Sequence, residues 1–465
     1  MSAAAPTLRP AAPPWARGRD AAPPPPRSAA AAAGAPARLG PLVWLFLAAI
    51  VLPVTVDLGS LALSGLRILC LLAVLPLLAG LLSGRHGRVI AADWLALAHV
   101  AWMALSLALS EGAAAVQLAG SMGVEFLGGY LIARVHVRDL AAFRRLCAAL
   151  TLVLLALLPV ALVEARTGVP VIPSAIERIP GVGSAGDVDA QMRLGLHRVQ
   201  AVFVHPIHFG LFAAVAFALC WTALQDRVPA VPRALAAGAI ALSGFLSLSS
   251  GGILAVALQV ALIAWAAALP ARIPRWWILA ALFALAYAVV DLLSNRTPLH
   301  VFLSYATFSA HTAYWRLLIL EWGLVNVAAH PWFGIGMADW MRPAWMHSDS
   351  VDNFWLIAAM RHGVPGFVTL AGCWLAVLVP VMRRPFAAEG ALGTARRAWV
   401  FSIVGLIFTL FTVHAWGSVY SFVMFLLGSG AWMLHAEEGA PRGAAAAPPS
   451  RARPHSRFPA PAAAP

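Results

Sequence analysis

Three residues that can accept or donate protons lie within six positions of one another, just before a long apolar segment. They are His347, Asp349 and Asp352, and Asn353 follows directly. A carboxylate or an imidazole can orient a hydroxyl group and accept its proton, which makes this cluster a candidate general base. The alternative is that Asp349 and Asp352 cap the N-terminus of a helix, a frequent use of Asp before an apolar run. The two roles do not exclude each other.

The elements that must position this cluster are those of a membrane protein. The 465 residues are 61% hydrophobic and only 11% charged, far from the balance of soluble proteins. Apolar runs recur from Leu39 to Leu434, and about 20 such residues cross the hydrocarbon core of a bilayer. Because lipid offers no partner to backbone polar groups, we expect a helical bundle. The predicted fold class is an all-α polytopic membrane protein with about 12 transmembrane helices.

The apolar runs give twelve predicted helices. They cover residues 39–56, 61–82, 89–109, 112–133, 146–163, 206–224, 234–248, 253–269, 276–293, 352–382, 399–413 and 418–434. Two pairs are divided at 249–252 and at 414–417, because an undivided segment of about 36 residues exceeds a tilted membrane helix.

The formal net charge of +13 indicates membrane topology and not nucleic-acid binding. All 32 basic residues other than histidine are arginine, and twelve helices place 23 of them on the side of the two chain ends and seven on the opposite side. This bias predicts that both termini are cytoplasmic in a bacterial inner membrane. The Ala-, Pro- and Arg-rich segments 1–38 and 436–465 are predicted to be disordered tails around a membrane domain at 39–435.

The side opposite the tails carries two long connections, 164–205 and 294–351, the second just before the tenth helix. We therefore expect function on this outer, periplasmic face. Within the second loop, the segment 311–329 predicts a helix whose Trp315 and Trp322 face suits the membrane interface. His330-Pro331 ends that helix. Gly334 and Gly336 then predict a flexible turn.

Two arginines and a glutamate fall inside predicted membrane helices. Arg67, Arg361 and Glu125 are costly in lipid, so they are expected to face the bundle interior or a water-filled cavity.

The second half of the chain resembles the O-antigen ligase and polymerase superfamily of bacterial surface-glycan enzymes. The resemblance covers roughly residues 198–366. It is carried by RVQAVFVHPIHFG at 198–210, by Arg316 followed by HPWFGIG at 330–336, and by HSDSVDN at 347–353 followed by RHGVPG at 361–366. Many relatives carry Ser-Arg before position 249, where this chain has Ser249-Ser250-Gly251-Gly252. A role assigned to that arginine has no counterpart here.

The resemblance implies a donor glycan on undecaprenyl diphosphate, transferred by an inverting, metal-independent mechanism with no cofactor. Arginine suits the departing diphosphate, since its planar fork binds two phosphate oxygens. The resemblance points to Arg198 and Arg316 for this task, although outer arginines also extend to lipid headgroups. Asp352 matches the acidic or His position of the family, and His347 is the second candidate base. The secondary candidates are Asn353, Asp349 and Arg361.

The acceptor stays open at this stage. A second lipid-linked glycan would make the protein a polymerase, the lipid A core a ligase, and a protein hydroxyl an oligosaccharyltransferase. Asp352-Asn353 in place of a His-Asn pair favours the polymerase. A transporter or flippase of lipid-linked glycans is the alternative class, but no internal repeat of the kind common in transporters is visible. A passive assembly scaffold would make no use of the arginines.

Overall fold

The computed structural model describes residues 39–58, 61–186, 192–298, 300–301 and 310–438. The predicted N-terminal tail and all but the first three residues of the C-terminal one lie outside this part. The elements are α1 Pro41–Val51, β1 Thr55–Leu58, β2 Leu61–Ser64, α2 Gly65–Leu82, α3 Ala91–Glu111, α4 Ala115–His136, α5 Leu140–Thr167, α6 Val171–Ile176, α7 Pro206–Ala223, α8 Ala230–Leu246, α9 Ser250–Ala268, α10 Arg275–Leu293, α11 Ala310–Ala329, α12 Phe354–Arg383, α13 Ala391–Leu410 and α14 Ser418–Gly428.

The chain is a mostly helical polytopic membrane protein, as its composition predicts. Among the described residues, eight helical segments are long and apolar enough to cross a membrane, and three shorter apolar helices accompany them. One of the eight is the 46-residue stretch Ala91–His136, which contains both α3 and α4. Each of the twelve predicted segments overlaps one described helix. The number of crossings itself stays a prediction.

A short β-hairpin replaces the ends of the first two predicted helices, which is a correction to the sequence-based assignment. Strands β1 and β2 pair antiparallel with Thr55 opposite Ser64. Thr55 also exchanges backbone hydrogen bonds of 2.9 and 2.8 Å with Gly183. The run Val54-Thr55-Val56 is β-branched and favours a strand, a preference that hydropathy alone does not register. Elsewhere the largest error in a helix start is at α13, which begins at residue 391 and not at 399.

The bundle has two centres, α4 and α7. Helix α4 packs against α2, α3 and α14, while α7 packs against α5, α8, α9 and α13. Glycines permit the closest approaches: a Cβ on Gly129 would stand 2.0 Å from the carbonyl oxygen of Ser421, and one on Gly252 2.9 Å from that of Gly210. Small residues at contacts are how membrane helices gain van der Waals packing without a hydrophobic driving force.

The connections between helices meet at two ends of the bundle. We call the end that carries 52–58, 61–64, 168–186, 192–205, 247–249, 330–353 and 411–417 the loop face, because hydrogen bonds and charge interactions link these segments. We call the end that carries 83–90, 137–139, 384–390 and 434–438 the tail face.

Helix α11 lies against α12 on the loop face. Its Trp315, Leu318, Ile319 and Trp322 pack on a buried cluster that includes Leu356 of α12. The helix itself agrees with the prediction at 311–329. Its apolar face contacts protein, however, where the pattern indicated the membrane interface.

The loop after α11 is not a flexible turn, because it is hydrogen-bonded to a kink in α12. Gly363 has φ +71° and ψ 179°, which interrupts the helix and frees backbone groups around it. The N–H groups of Ile335 and Gly336 donate to the carbonyls of Met360 and Arg361 at 2.8 and 3.1 Å. A Cβ on Gly363 would stand 2.1 Å from the carbonyl oxygen of Trp332. The Pro-x-x-Gly-x-Gly spacing thus permits close backbone contact and fixes the direction of α12.

Candidate functional site

The segment that carries Arg198 is anchored by a buried carboxylate at the end of α5. Glu164 is 2% exposed and accepts hydrogen bonds from the backbone N–H groups of Gln200 and Ala201 at 2.6 and 3.0 Å. Ala201 has φ +55°, an unusual conformation that these bonds help to hold. The N–H of Val199 donates to the carbonyl of Leu246 at 3.1 Å. Arg198 therefore projects from a fixed backbone and not from a free loop.

Arg198 interacts electrostatically with one other arginine, Arg193, and with one carboxylate, Asp352. Its pKa is lowered to about 10, mainly by burial and also by repulsion from Arg193, while the Asp352 carboxylate acts in the opposite direction. Burial likewise lowers the pKa of Arg316. The Asp352 carboxylate raises this pKa by attraction, and Arg193 lowers it by repulsion. Arg198 and Arg316 thus both interact with the Asp352 carboxylate, and both are repelled by Arg193. We call Arg193, Arg198, Arg316 and Asp352 the arginine cluster.

The guanidinium groups of this cluster are incompletely satisfied. The Nε atoms of Arg198 and Arg316 are both buried and have no hydrogen-bond partner within the described part of the chain. One terminal nitrogen of Arg316 donates to the carbonyl of Thr412 at 3.4 Å, and one of Arg193 to that of Leu248 at 2.9 Å. None of the three arginines forms an ion pair with Asp352 among the described contacts. Such an excess of buried positive charge favours an anionic ligand.

Asp352 and Asn353 have different tasks at the start of α12. The side-chain oxygen of Asn353 accepts the N–H groups of Trp355 and Leu356 at 3.1 and 3.0 Å, so Asn353 is the helix cap. Asp352 accepts a hydrogen bond of 2.9 Å from the Ser350 hydroxyl and caps nothing. The alternative that Asp352 serves as a helix cap is therefore wrong. Its carboxylate is half-buried and faces the arginine cluster.

His205 is a neighbour of the cluster that the sequence analysis did not single out. Its Nδ1 accepts the N–H of Ile207 at 3.1 Å and caps α7. Burial lowers its pKa to about 4, with repulsion from Arg198 and Arg193 and an opposing attraction to Asp352. The imidazole is therefore neutral at neutral pH, and because Nδ1 is an acceptor, the ring proton lies on Nε2. His205 presents a hydrogen-bond donor near the arginines.

Arg193 was also missed, and its signal in the sequence was weak. It precedes Arg198 by five residues in a loop, where no helical or strand period indicates that the two side chains face the same way. His205 directly precedes Pro206 at the start of a helix, a position that indicates a cap and says nothing of a ligand.

The remaining predicted site residues do not join the arginine cluster. His347 and Asp349 are exposed, and neither makes a described interaction with an arginine of the cluster. Arg361 lies elsewhere: it lines a cavity of about 240 Å³ that extends into the bundle, together with Arg67 and Glu125. The expectation that these three face a cavity inside the bundle is confirmed.

The described residues contain no group of three or more His, Cys, Asp or Glu side chains that could hold a metal ion. From the sequence, a carboxylate pattern of the Asp-x-Asp kind was expected to be absent from the outer side, and that expectation is wrong, because the predicted outer loop contains Asp187-Val188-Asp189. This motif lies outside the described residues. The metal-independent mechanism therefore stays a prediction.

The fold and the loop-face cluster define a polytopic helical membrane protein with three arginines grouped near one carboxylate. Residues 234–371 match the family model described as O-antigen ligase. The match confirms the resemblance to the O-antigen ligase and polymerase superfamily and supports a glycan-transferring, multi-pass protein of the bacterial inner membrane. It includes Arg316, Asp352 and Arg361, while Arg198 lies before it. No curated protein matches the chain.

Proposed function

We propose that the protein transfers a glycan from undecaprenyl diphosphate to a hydroxyl acceptor on the periplasmic face of the inner membrane, as a polymerase or ligase. The observation that carries the proposal is the arginine cluster: Arg198 and Arg316 interact with the single carboxylate of Asp352 and are repelled by Arg193, and no ion pair joins the four side chains. The donor diphosphate supplies the negative charge that this arrangement lacks. The family match over residues 234–371 supports the same class of reaction.

In the proposed reaction, the acceptor hydroxyl oxygen attacks the anomeric carbon of the donor sugar from the side opposite the diphosphate. The bond from that carbon to the diphosphate oxygen breaks, and the electron pair leaves with undecaprenyl diphosphate. The hydroxyl proton passes to the Asp352 carboxylate, which acts as the general base. The configuration at the anomeric carbon inverts.

Arg198 and Arg316 stabilise the charge that develops on the leaving diphosphate. Their buried Nε atoms have no described partner, so each can donate to a phosphate oxygen without first breaking a bond within the protein. Arg193 adds charge, and the Nε2–H of His205 adds a neutral donor on the same side. No metal or cofactor is required in this scheme.

The test is a pair of charge-conserving substitutions, Arg198→Lys and Arg316→Lys. Lysine keeps the charge but loses the planar fork, so both variants are expected to abolish complementation of a deletion strain at normal protein levels. The matched control is Arg342→Lys, an arginine of the same face that is paired with Asp339 outside the cluster. Full activity in both cluster variants would make these arginines headgroup anchors and would refute the proposal.

A second test concerns the side of the membrane. Reporter fusions at Arg138, Arg233 and Arg384 are expected to give a cytoplasmic signal, and fusions at Gly183 and Trp340 a periplasmic one. A cytoplasmic signal at Trp340 would contradict the proposal, since it would separate the arginine cluster from the face where lipid-linked glycans are joined.

A further inference from the structure

A second polar region lies inside the bundle, apart from the arginine cluster. It is the cavity of about 240 Å³ lined by Arg67, Glu125 and Arg361. Apolar side chains complete its wall, among them Leu118 and Phe354. A cavity lined by charged, neutral polar and apolar side chains suits the junction between a phosphate group and a lipid chain. It does not match a purely watery channel.

The charges on the cavity wall leave one cation in excess. Two nitrogens of Arg67 donate to Glu125 at 3.0 and 2.8 Å, which neutralises that pair. Arg361 makes no side-chain hydrogen bond and no ion pair with any residue that the structure describes. It also borders a smaller outer cavity of about 190 Å³ with Asp339 and Asp349. Neither carboxylate pairs with it, and Asp339 is already bound to Arg342.

A second unsatisfied group lines the same cavity. The Nδ1 atom of His414 is buried and has no hydrogen-bond partner among the described residues. Burial lowers the pKa of His414 to about 3, and repulsion from Arg361 adds to this effect. Because the imidazole is then neutral, its unpartnered nitrogen can donate to an oxygen of a ligand while Arg361 supplies the charge.

The cavity adjoins the arginine cluster through a wall of aromatic rings. Trp416 lines the cavity, and its ring centroid lies 4.1 Å from that of His208, 5.5 Å from His414 and 6.2 Å from His205. His205 in turn faces the arginine cluster. Arg361 follows Phe354 by seven residues, a rise of about 10 Å along α12 from the end where Asp352 lies. A short oligosaccharide can span this separation.

We propose that this cavity binds the diphosphate of the acceptor, a second lipid-linked glycan, with Arg361 as its charged ligand. The inference rests on the function proposed above, since it places the donor diphosphate in the arginine cluster and the acceptor hydroxyl at Asp352. Two diphosphate sites within one bundle make the protein a polymerase. A ligase needs a single undecaprenyl diphosphate, because its acceptor is anchored by a different lipid.

The test counts bound lipid. Full-length protein in phosphatidylcholine nanodiscs is titrated with undecaprenyl diphosphate, and the bound equivalents are measured by native mass spectrometry. The wild type is expected to bind two equivalents. Arg361→Gln is expected to weaken one site on the order of tenfold or more, since it removes a charged hydrogen-bond donor. Arg178→Gln, the control at an exposed arginine of the loop face that lines neither cavity, retains both sites.

The two proposals fail separately in this experiment. If Arg361→Gln binds one equivalent and Arg198→Gln still binds two, the result supports the acceptor site in the cavity and contradicts a donor site in the arginine cluster. If only Arg198→Gln loses an equivalent, the result supports the donor site in the arginine cluster and overturns the present inference. A third outcome also overturns the inference. In it, the wild type binds only one equivalent of undecaprenyl diphosphate and also binds a phosphorylated lipid A, and Arg361→Gln loses the lipid A. The acceptor would then be a lipid A core.

A second variant separates binding from damage to the fold. Glu125→Gln keeps a hydrogen-bonding side chain but leaves the Arg67 charge uncompensated, so the second equivalent is expected to bind several-fold more tightly. Damage to the fold would weaken it. Unchanged or weaker binding of the second equivalent in Glu125→Gln contradicts the proposal.

Discussion

The arginines on the two faces of this protein have opposite environments. On the tail face, Arg134 is 6% exposed and donates to both oxygens of Asp93 at 3.1 and 3.2 Å and to the carbonyl of Arg88 at 2.8 Å. The Tyr130 hydroxyl completes the set at 2.6 Å from Asp93. On the loop face, Arg198 and Arg316 are half-buried, and no carboxylate in the described part of the chain forms an ion pair with them. The clearest difference between the two sets of arginines is the state of their hydrogen bonds.

The difference indicates that a buried arginine bound to a carboxylate and a carbonyl belongs to the fold, while one whose Nε has no partner can accept a ligand. The Asp93 carboxylate links α3 to α4 and also accepts the N–H of Ile90 at 2.9 Å. A ligand could not replace these bonds without opening the helix pair. Among the described residues, the arginine cluster has no equivalent network of ion pairs.

The largest expected effect is on the tail face. Arg134→Ala leaves the Asp93 carboxylate buried without its cation, which is expected to cost about 3–5 kcal/mol. Thermal unfolding in detergent and protein yield in membranes measure the loss. The comparison is the Arg342–Asp339 pair, where Asp339→Ala removes a carboxylate that is 68% exposed and is expected to cost far less. Equal effects of the two changes would contradict the assigned difference between a buried and an exposed pair.

A smaller effect on stability and a complete effect on activity are expected on the loop face. Arg198→Ala removes a cation that Arg193 repels, so the melting temperature should stay within the equivalent of about 1 kcal/mol or rise, while glycan transfer is lost. The measurement is a melting curve beside the complementation assay. A fall in stability comparable to that of Arg134→Ala would show that Arg198 holds the fold, and the comparison between the faces would fail.

The smallest expected effects on stability are at two adjacent residues, Asp352 and Asn353, whose substitutions should differ in their effect on activity. Asn353→Ala removes the cap of α12 and is expected to cost about 1 kcal/mol with partial retention of activity. Asp352→Asn removes a charge but no cap, so it should leave stability nearly unchanged and reproduce the deletion phenotype. Wild-type activity in Asp352→Asn would exclude Asp352 as the base. The exposed His347 would then be the next candidate.

The helices could be predicted from the sequence because hydropathy determines which segments can leave water. The strands at 55–58 and 61–64 could not, since their apolar residues continue the runs of the helices beside them, and only Thr55 and Val56 carry the β-branching that favours a strand. For the site, the family resemblance selected Arg198, Arg316 and Asp352, and the fold places their charges within reach of one another. Their roles in the reaction stay predictions.

The positions of Arg193 and His205 could not be predicted, because they depend on contacts between residues that are far apart in the sequence. Arg193 and His205 join it because Glu164, far away in the chain, holds the intervening backbone through the N–H groups of Gln200 and Ala201. In contrast, His347 lies only five residues from Asp352, yet the intervening loop leaves it exposed. The short sequence separation was therefore a poor guide to the position of His347, because an extended loop carries neighbouring side chains away from each other.

The kink of α12 has a consequence for how the protein is made. The carbonyls that Gly363 frees accept hydrogen bonds from Trp102, Ser106, Ile335 and Gly336. All four donors precede α12 in the chain. They have therefore left the ribosome before the kinked segment enters the membrane, and its backbone can be satisfied on insertion. If the gene were rearranged so that α12 preceded α3, the carbonyls at the kink would enter the membrane before their hydrogen-bond donors had been synthesised.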